Sequence, residues 1–376
     1  MSKLLAIVII GLLLVPSAAV AQDQPLDERI LLTFVPNVQF APFYMGIEAG
    51  YFEEAGFAVS LEHLQEPEVL DLVAVGQANY GVVSGEQVIL ARSQDRDVVY
   101  AFEWFQQYPV GLVYDSALNL SDLGDLRGKI VGIPGRFGAS YSGLTALLHN
   151  ANLTEADIEL TEIGFNAPEV FCLGLVDAAV VYINNEPLQI QQLADAGDCG
   201  DVQAVAVTSV ASQVDLVSNG LIISRALLDD DSAAVQRLVS SFAEALRATI
   251  DNPAAAYLAS LAYVESLQRD DSLLKALESA AEAQSDFLSE LPSRADLAAS
   301  RADLADQLKS RFDAQTLSQF IILLNTIELW DADQLGISDM ASWQAMHDTL
   351  QRMGFLGASP VVLGDAFSNQ FIVAAE

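Results

Sequence analysis

The sequence predicts a two-lobed α/β clamshell with a helical C-terminal part, and three observations lead there. Short apolar runs alternate with amphipathic helical patterns from Arg29 to Val207, as in mostly parallel sheets covered on both faces. The alternation restarts near Leu118, and Leu221–Ser224 reads as a strand returning to the first unit. From Ser232 to Met353 the chain is almost wholly helical in pattern, rich in Ala, Leu, Asp and Glu. The expected division is 27–116 for the first segment of lobe 1, 117–219 for lobe 2, and 220–376 for the return segment with the C-terminal helices.

In the first unit Ile30–Val35 reads as a strand, Ala41–Glu54 as an amphipathic helix ending at Gly56, and Val59–His63 as a second strand. Pro67–Val75 is a helix, Tyr80–Val83 a strand and Gly85–Ala91 a helix opening, with Val98–Phe105 and Val110–Tyr114 completing the set. In the second unit Ser121-Asp122-Leu123 caps a short helix, and Ile130–Ile133, Ile158–Ile163, Ala178–Tyr182 and Val202–Val207 are strands. Helices over Leu144–Ala151, Pro168–Gly174 and Leu188–Ala196 separate them. Two crossings, near Asp115–Leu118 and Ser218–Leu221, are the expected hinges. Ser-Arg-Ala-Asp-Leu-Ala occurs at Ser293–Ala298 and again at Ser300–Ala305, a spacing too short-lived for a coiled coil and expected in an exposed helix. Pro360–Ala375 lacks periodicity and is expected to pack as a tail.

The first residues, Met-Ser-Lys followed by apolar Leu4–Val15 and then Ala19-Val20-Ala21, have the layout of a secretory signal peptide over 1–21. The apolar run falls short of the roughly 20 residues a bilayer span needs. No Cys stands near the expected cleavage after Ala21, so a lipid anchor is not expected; export to the periplasm or cell surface is. Net charge is −34, from 51 acidic and 17 basic residues, and only four of the basic ones are Lys. That balance excludes a nucleic-acid binder, which needs clustered cations. Cys172 and Cys199 could form a disulfide or stand as one buried and one loop thiol. The scattered His63, His149 and His347 offer no metal-ligand spacing.

In a clamshell the ligand sits at the C-terminal strand ends, between the lobes. One such end is Gly132–Leu144, a turn of small residues between a strand and a helix start, where unpaired N–H groups face upward. Phe137, Ser140 and Tyr141 add flat faces and a hydroxyl, and Arg136 is the turn's single cation, which suits a planar, polar-edged ring better than a phosphate. Other strand ends carry Pro36–Tyr44, Ser84–Gln87, Trp104–Tyr108 and Asn184–Glu186. Each aromatic there could equally be core, and Glu186 could equally cap the helix starting at Pro187.

Gly46–Gly56 (GIEAGYFEEAG), Gly76–Val82 (GQANYGV), Leu123–Gly132 (LGDLRGKIVG) and Val176–Tyr182 (VDAAVVY) resemble the periplasmic substrate-binding proteins of ABC importers, in the branch of thiamine-pyrimidine binders. The likeness runs from about Leu31 to Phe242. Within that branch, Gly138–Leu144, Ile163-Gly164-Phe165 and Tyr182–Pro187 look like the riboflavin-binding proteins of bacterial riboflavin importers. The resemblance implies a type II clamshell that takes riboflavin as transported ligand, with no cofactor or metal, and delivers it to a membrane permease, as a monomer. It implies a first-lobe lining of Asn37, Phe40, Tyr44, Glu86, Trp104 and Tyr108, and a second-lobe lining of Phe137, Ser140, Tyr141, Asn185 and Glu186. The alternatives are a thiamine pyrimidine precursor or another heteroaromatic nutrient as ligand. More remote is a pyrimidine-synthase-like enzyme, which the lone cysteines and the absence of a catalytic spacing make unexpected.

Overall fold

The computed structural model describes residues 25–372, apart from 119 and 121. The expected signal peptide, Ser121 and the last residues of the tail lie outside the described residues. Among the described residues ten strands make two five-stranded sheets. Sheet 1 runs β2 (Phe57–Leu64), β1 (Leu26–Thr33), β3 (Tyr80–Ser84), β10 (Asn219–Ser224), β4 (Val98–Glu103). Sheet 2 runs β7 (Glu159–Glu162), β6 (Ile130–Ile133), β8 (Ala178–Tyr182), β5 (Val110–Asp115), β9 (Val205–Ser209). β1, β2 and β3 pair in parallel, as do β6, β7 and β8. β10 and β5 are antiparallel to both of their neighbours.

This topology corrects one boundary. Val110–Asp115 belongs to sheet 2, not to lobe 1, so the first crossing falls between Glu103 and Val110 rather than at 115–118. Periodicity shows that a segment is a strand but not which sheet it joins, and β5 is apolar on both faces, as any central strand is. The chain re-enters sheet 1 through β10, which begins at Asn219. The long first helix breaks into Ala41–Glu48 and Tyr51–Glu54, because Gly50 takes a left-handed φ of 83°.

Central strands bury both faces: Ile30, Leu31 and Leu32 of β1 are fully buried. On one side of sheet 1 the helix Ser232–Asp251 lays down Val235, Leu238, Val239, Phe242, Leu246 and Ile250, an i, i+3, i+4 stripe. Beside it Trp104 packs against Phe43 (5.3 Å between ring centres), Phe40 (5.7 Å) and Trp330 (5.5 Å). The outer face of sheet 2 has a small core of its own around Val113, Phe171, Val181 and Ile190. Cys172 and Cys199 are joined as a disulfide there, settling the pairing the sequence left open.

The C-terminal helices are Pro253–Ser260, Asp271–Leu288, Arg294–Lys309, Ala314–Trp330 and Met340–Arg352. The repeated hexapeptide is not a simple exposed duplication. Its first Ser caps the helix Arg294–Lys309, and Arg294 and Arg301, seven apart on one face, both reach Asp331 at 2.9 Å. The tail runs along the open edge of β4, with Tyr100 N–H donating to Ala366 O and Ser368 N–H to Tyr100 O, both at 2.9 Å. Among the described residues no helix is long and apolar enough to cross a membrane.

Candidate functional site

The cavity lies where both sheets end their strands. Thr33 and Phe34 follow β1, Gln39 and Phe40 sit on the short turn Val38–Phe40, and Trp104 and Phe105 follow β4. From lobe 2 come Phe137, Ala139 and Ser140 after β6, Phe165 after β7, Tyr182 at the end of β8, and Glu186. Its empty space is about 890 Å³ with the mouth counted. The cleft is a slot walled largely by aromatic rings.

Contacts from lobe to lobe hold it shut. Phe34 meets Phe165 edge to face, with ring centres 4.7 Å apart. Asn184 Nδ2 donates to Gln39 Oε1 and Thr326 Oγ1, each at 2.7 Å. Glu66 Oε2, on the helix Glu66–Ala74 of lobe 1, accepts from Ala139 N–H of lobe 2 at 3.2 Å. Gly138 allows this approach: its φ is +63°, and a Cβ there would lie 1.9 Å from Glu66 Oε2. Phe34 carries a φ of 65°, a left-handed backbone unusual for a bulky residue and strained by about 1–2 kcal/mol. The surrounding cleft holds it there.

Of the residues named from sequence, Phe40, Trp104, Phe137, Ser140 and Glu186 form the wall. The other six lie behind it or off it. Asn37 Oδ1 accepts from Gln39 N–H at 3.0 Å and so shapes the turn. Tyr44 is buried and stacked on Tyr263, ring centres 4.5 Å apart. Tyr108 is buried, its hydroxyl donating to Ala139 O at 2.9 Å. Asn185 is buried and accepts from Gln189 Nε2 at 2.7 Å. Glu86 lies behind Ser84. Tyr141 turns away: it stacks on Phe355 and donates to Glu155 Oε1 at 2.5 Å, because a helix rotates consecutive residues by about 100° and Ser140 has taken the cleft-facing position. The sequence reading did not name Phe34, Gln39, Glu66, Phe165 or Asn219 as lining residues, although Gln39 and Phe165 stand in segments it singled out. The signal for Glu66 was present: Glu66-Pro67 opens a helix after a strand, as Glu186-Pro187 does.

No Lys or Arg stands on the described wall. Arg136, the one cation of the glycine turn, is exposed and paired with Glu155 and Glu162. The wall's charges are the carboxyls of Glu66 and Glu186. Glu186 Oε2 accepts from Tyr182 N–H at 2.9 Å, yet burial pushes its carboxyl up to about 7. Burial raises Glu66 as well, against the N–H and O–H donors that favour its anion. Trp104 is buried, and its Nε1–H has no partner among the described residues. Nor do the described residues contain a group of three His, Cys, Asp or Glu placed to hold a metal ion.

The geometry has relatives. Residues 37–256 match the family described as NMT1/THI5 like. The riboflavin-binding protein RibY of Chloroflexus aurantiacus is 32% identical over 262 residues, covering 68% of this chain and 72% of that protein. The formylaminopyrimidine-binding protein of Halalkalibacterium halodurans is 28% identical over 169 residues, 44% of this chain and 51% of that protein. Among solved structures, the alkanesulfonate-binding protein SsuA from Xanthomonas axonopodis pv. citri, bound to MOPS, superposes with a TM-score of 0.58 over 92% of this chain and 99% of that one, at 14% identity. The two-lobed α/β architecture is thus the fold of the periplasmic binding proteins.

Proposed function

The chain belongs to the NMT1/THI5-like family, and we propose that it is the exported solute-binding component of an ABC importer, capturing riboflavin between its lobes. The observation that carries this reading is the aromatic slot with two carboxyls and no described cation on its wall, in a chain related to a riboflavin-binding protein. Phe40, Trp104, Phe137 and Phe165 offer flat faces to an isoalloxazine, each contact contributing about 0.5–1.5 kcal/mol beyond burial. Glu66 and Glu186 accept hydrogen bonds from the ring imide or the ribityl hydroxyls, while Trp104 Nε1–H and Ser140 Oγ–H can donate to ring carbonyls. A sulfonate or phosphate would meet two carboxyls and no described cation, so the ligand is neutral. Capture breaks no bond, so the protein acts as a binder and not an enzyme; a membrane permease recognises the closed form.

Titrating riboflavin into the purified protein tests this by quenching of flavin fluorescence at one site and a rise in Tm, since a ligand selective for the folded state stabilises it. Riboflavin 5′-phosphate should bind about tenfold or more weaker. A pyrimidine precursor is the second reading, favoured by the formylaminopyrimidine-binding relative. It prevails if an aminopyrimidine raises Tm and riboflavin leaves it unchanged.

A further inference from the structure

Ser84 ends β3, and its single hydroxyl touches two carboxyls. Its Oγ lies 2.6 Å from Glu66 Oε1 and in hydrogen-bond contact with Glu86 Oε1. Its backbone N–H also donates to Glu66 Oε1 at 2.6 Å. All three residues are buried. A hydroxyl has one hydrogen to give, so it cannot donate to both carboxyls. One of the two must therefore hold a proton and donate it to Ser84 Oγ. Glu66 is the anion, because it also collects the N–H groups of Ser84 and, from the other lobe, Ala139. Glu86 is the acid: its Oε2 has no partner among the described residues, and against the three donors that Glu66 collects it has its own backbone N–H and Gln87 Nε2 at 3.5 Å, with the Tyr108 hydroxyl nearby. Protons then run one way, from Glu86 O–H to Ser84 Oγ and from Ser84 O–H to Glu66.

We propose that Glu66 is a positioning residue that draws the helix Gly138–Asn150 of lobe 2 onto lobe 1, and that a single proton shared through Ser84 with Glu86 sets how strongly it does so. The inference rests on the hinged-lobe reading above but not on which ring is bound. Removing that proton places two anions on one hydroxyl, and their repulsion displaces Glu66 from the position where it meets the Ala139 N–H. Adding a second neutralises Glu66 and weakens its hold on the Ala139 N–H. Closure is strongest with one proton on the pair. Burial, and then the neighbouring Glu66 charge, push Glu86 up to about 8, which puts loss of the shared proton on the alkaline side. The other titratable groups facing the pair are the hydroxyls of Tyr100, Tyr108 and Tyr182, all held far above their ordinary range by burial. Among the described groups, no Lys, Arg or His shifts either carboxyl.

The test is an interlobe distance measured without ligand, by pulsed electron resonance between nitroxides on Val75→Cys of lobe 1 and Val207→Cys of lobe 2, both exposed positions, with the native disulfide intact. The ratio of closed to open molecules should fall about tenfold between pH 7 and pH 9.5, the weight of one charge-assisted hydrogen bond. Glu86→Gln, which keeps a neutral donor beside Ser84, should stay closed to pH 9.5. Glu66→Gln should be open throughout. Gly138→Ala keeps both carboxyls in the chain, drives a methyl against Glu66 Oε2 from the lobe 2 side, and should also be open while folded. A flat profile in the wild type, or a Glu86→Gln variant that keeps the alkaline opening, overturns the proposal. Because no ligand is present, those outcomes are separate from a failure of riboflavin to bind.

Discussion

Each lobe opens a helix at the cleft with Glu-Pro, and the two glutamates are used differently. Glu186 turns back on its own lobe and accepts from Tyr182 N–H, fixing the end of β8. Glu66 accepts within its lobe from Ser84 and reaches across to Ala139 N–H of the other. One carboxyl shapes a wall, and the other bridges two walls. The difference lies in what faces each helix start: a local strand end for Glu186, and the side-chain-free Gly138 turn of the opposite lobe for Glu66. The same local motif thus supplies rigidity in one lobe and closure in the other.

The lobes also differ in what holds them together. Lobe 1 rests on a large aromatic core, a second core joins residues of both lobes, and lobe 2 adds a small outer core that carries the disulfide. The sharpest way to break this contrast is Trp104→Ala, which removes ring contacts to Phe40, Phe43, Phe105 and Trp330 and should cost about 3–5 kcal/mol in denaturant unfolding. A loss below about 1 kcal/mol would contradict the assigned core. Next is Cys172→Ser with Cys199→Ser, which frees a loop spanning 27 residues and should cost about 3 kcal/mol. Hydrogen exchange should then show lobe 2 opening first while helix Ser232–Asp251 stays protected; uniform loss of protection would refute separate support.

Protonation sharpens the comparison further. The Glu186 and Glu86 carboxyls sit at about 7 and about 8 in the folded chain, above the unfolded value of about 4.3. Between those limits the folded state holds protons that the unfolded state has released, so stability falls as pH rises from about 5 to about 8. Glu186→Gln should flatten part of that slope, by on the order of 1–2 kcal/mol, and weaken riboflavin about tenfold. An unchanged slope would show that Glu186 titrates normally. Smallest is Tyr141→Phe: with its hydroxyl spent on Glu155, riboflavin affinity should move by less than about twofold.

Much of the architecture could be read from the alternation of patterns, because strands and helices differ in period and the lobes follow one another along the chain. What periodicity does not encode is which sheet a doubly buried strand enters, hence the misplaced Val110–Asp115. At the cleft, residues directly after strands were readable, since strand ends point into the crevice: Trp104, Phe137 and Glu186 are examples. Residues further into a following helix were not, because orientation depends on where the helix starts. Tyr44 and Tyr141 rotate into neighbouring rings for that reason. Phe34 was invisible because its left-handed backbone has no sequence signature in a bulky residue. Glu66 left a mark, its shared Glu-Pro with Glu186, that only a comparison of the two lobes reveals.

The tail along β4 bears on the order in which the molecule assembles. Sheet 2 is drawn from one continuous stretch, Val110 to Ser209, whereas sheet 1 needs β10 and is sealed at its edge by residues near Ala366. During synthesis lobe 2 can mature early, while lobe 1 keeps an unsealed edge and unsatisfied contacts of high sequence separation until nearly the whole chain has emerged.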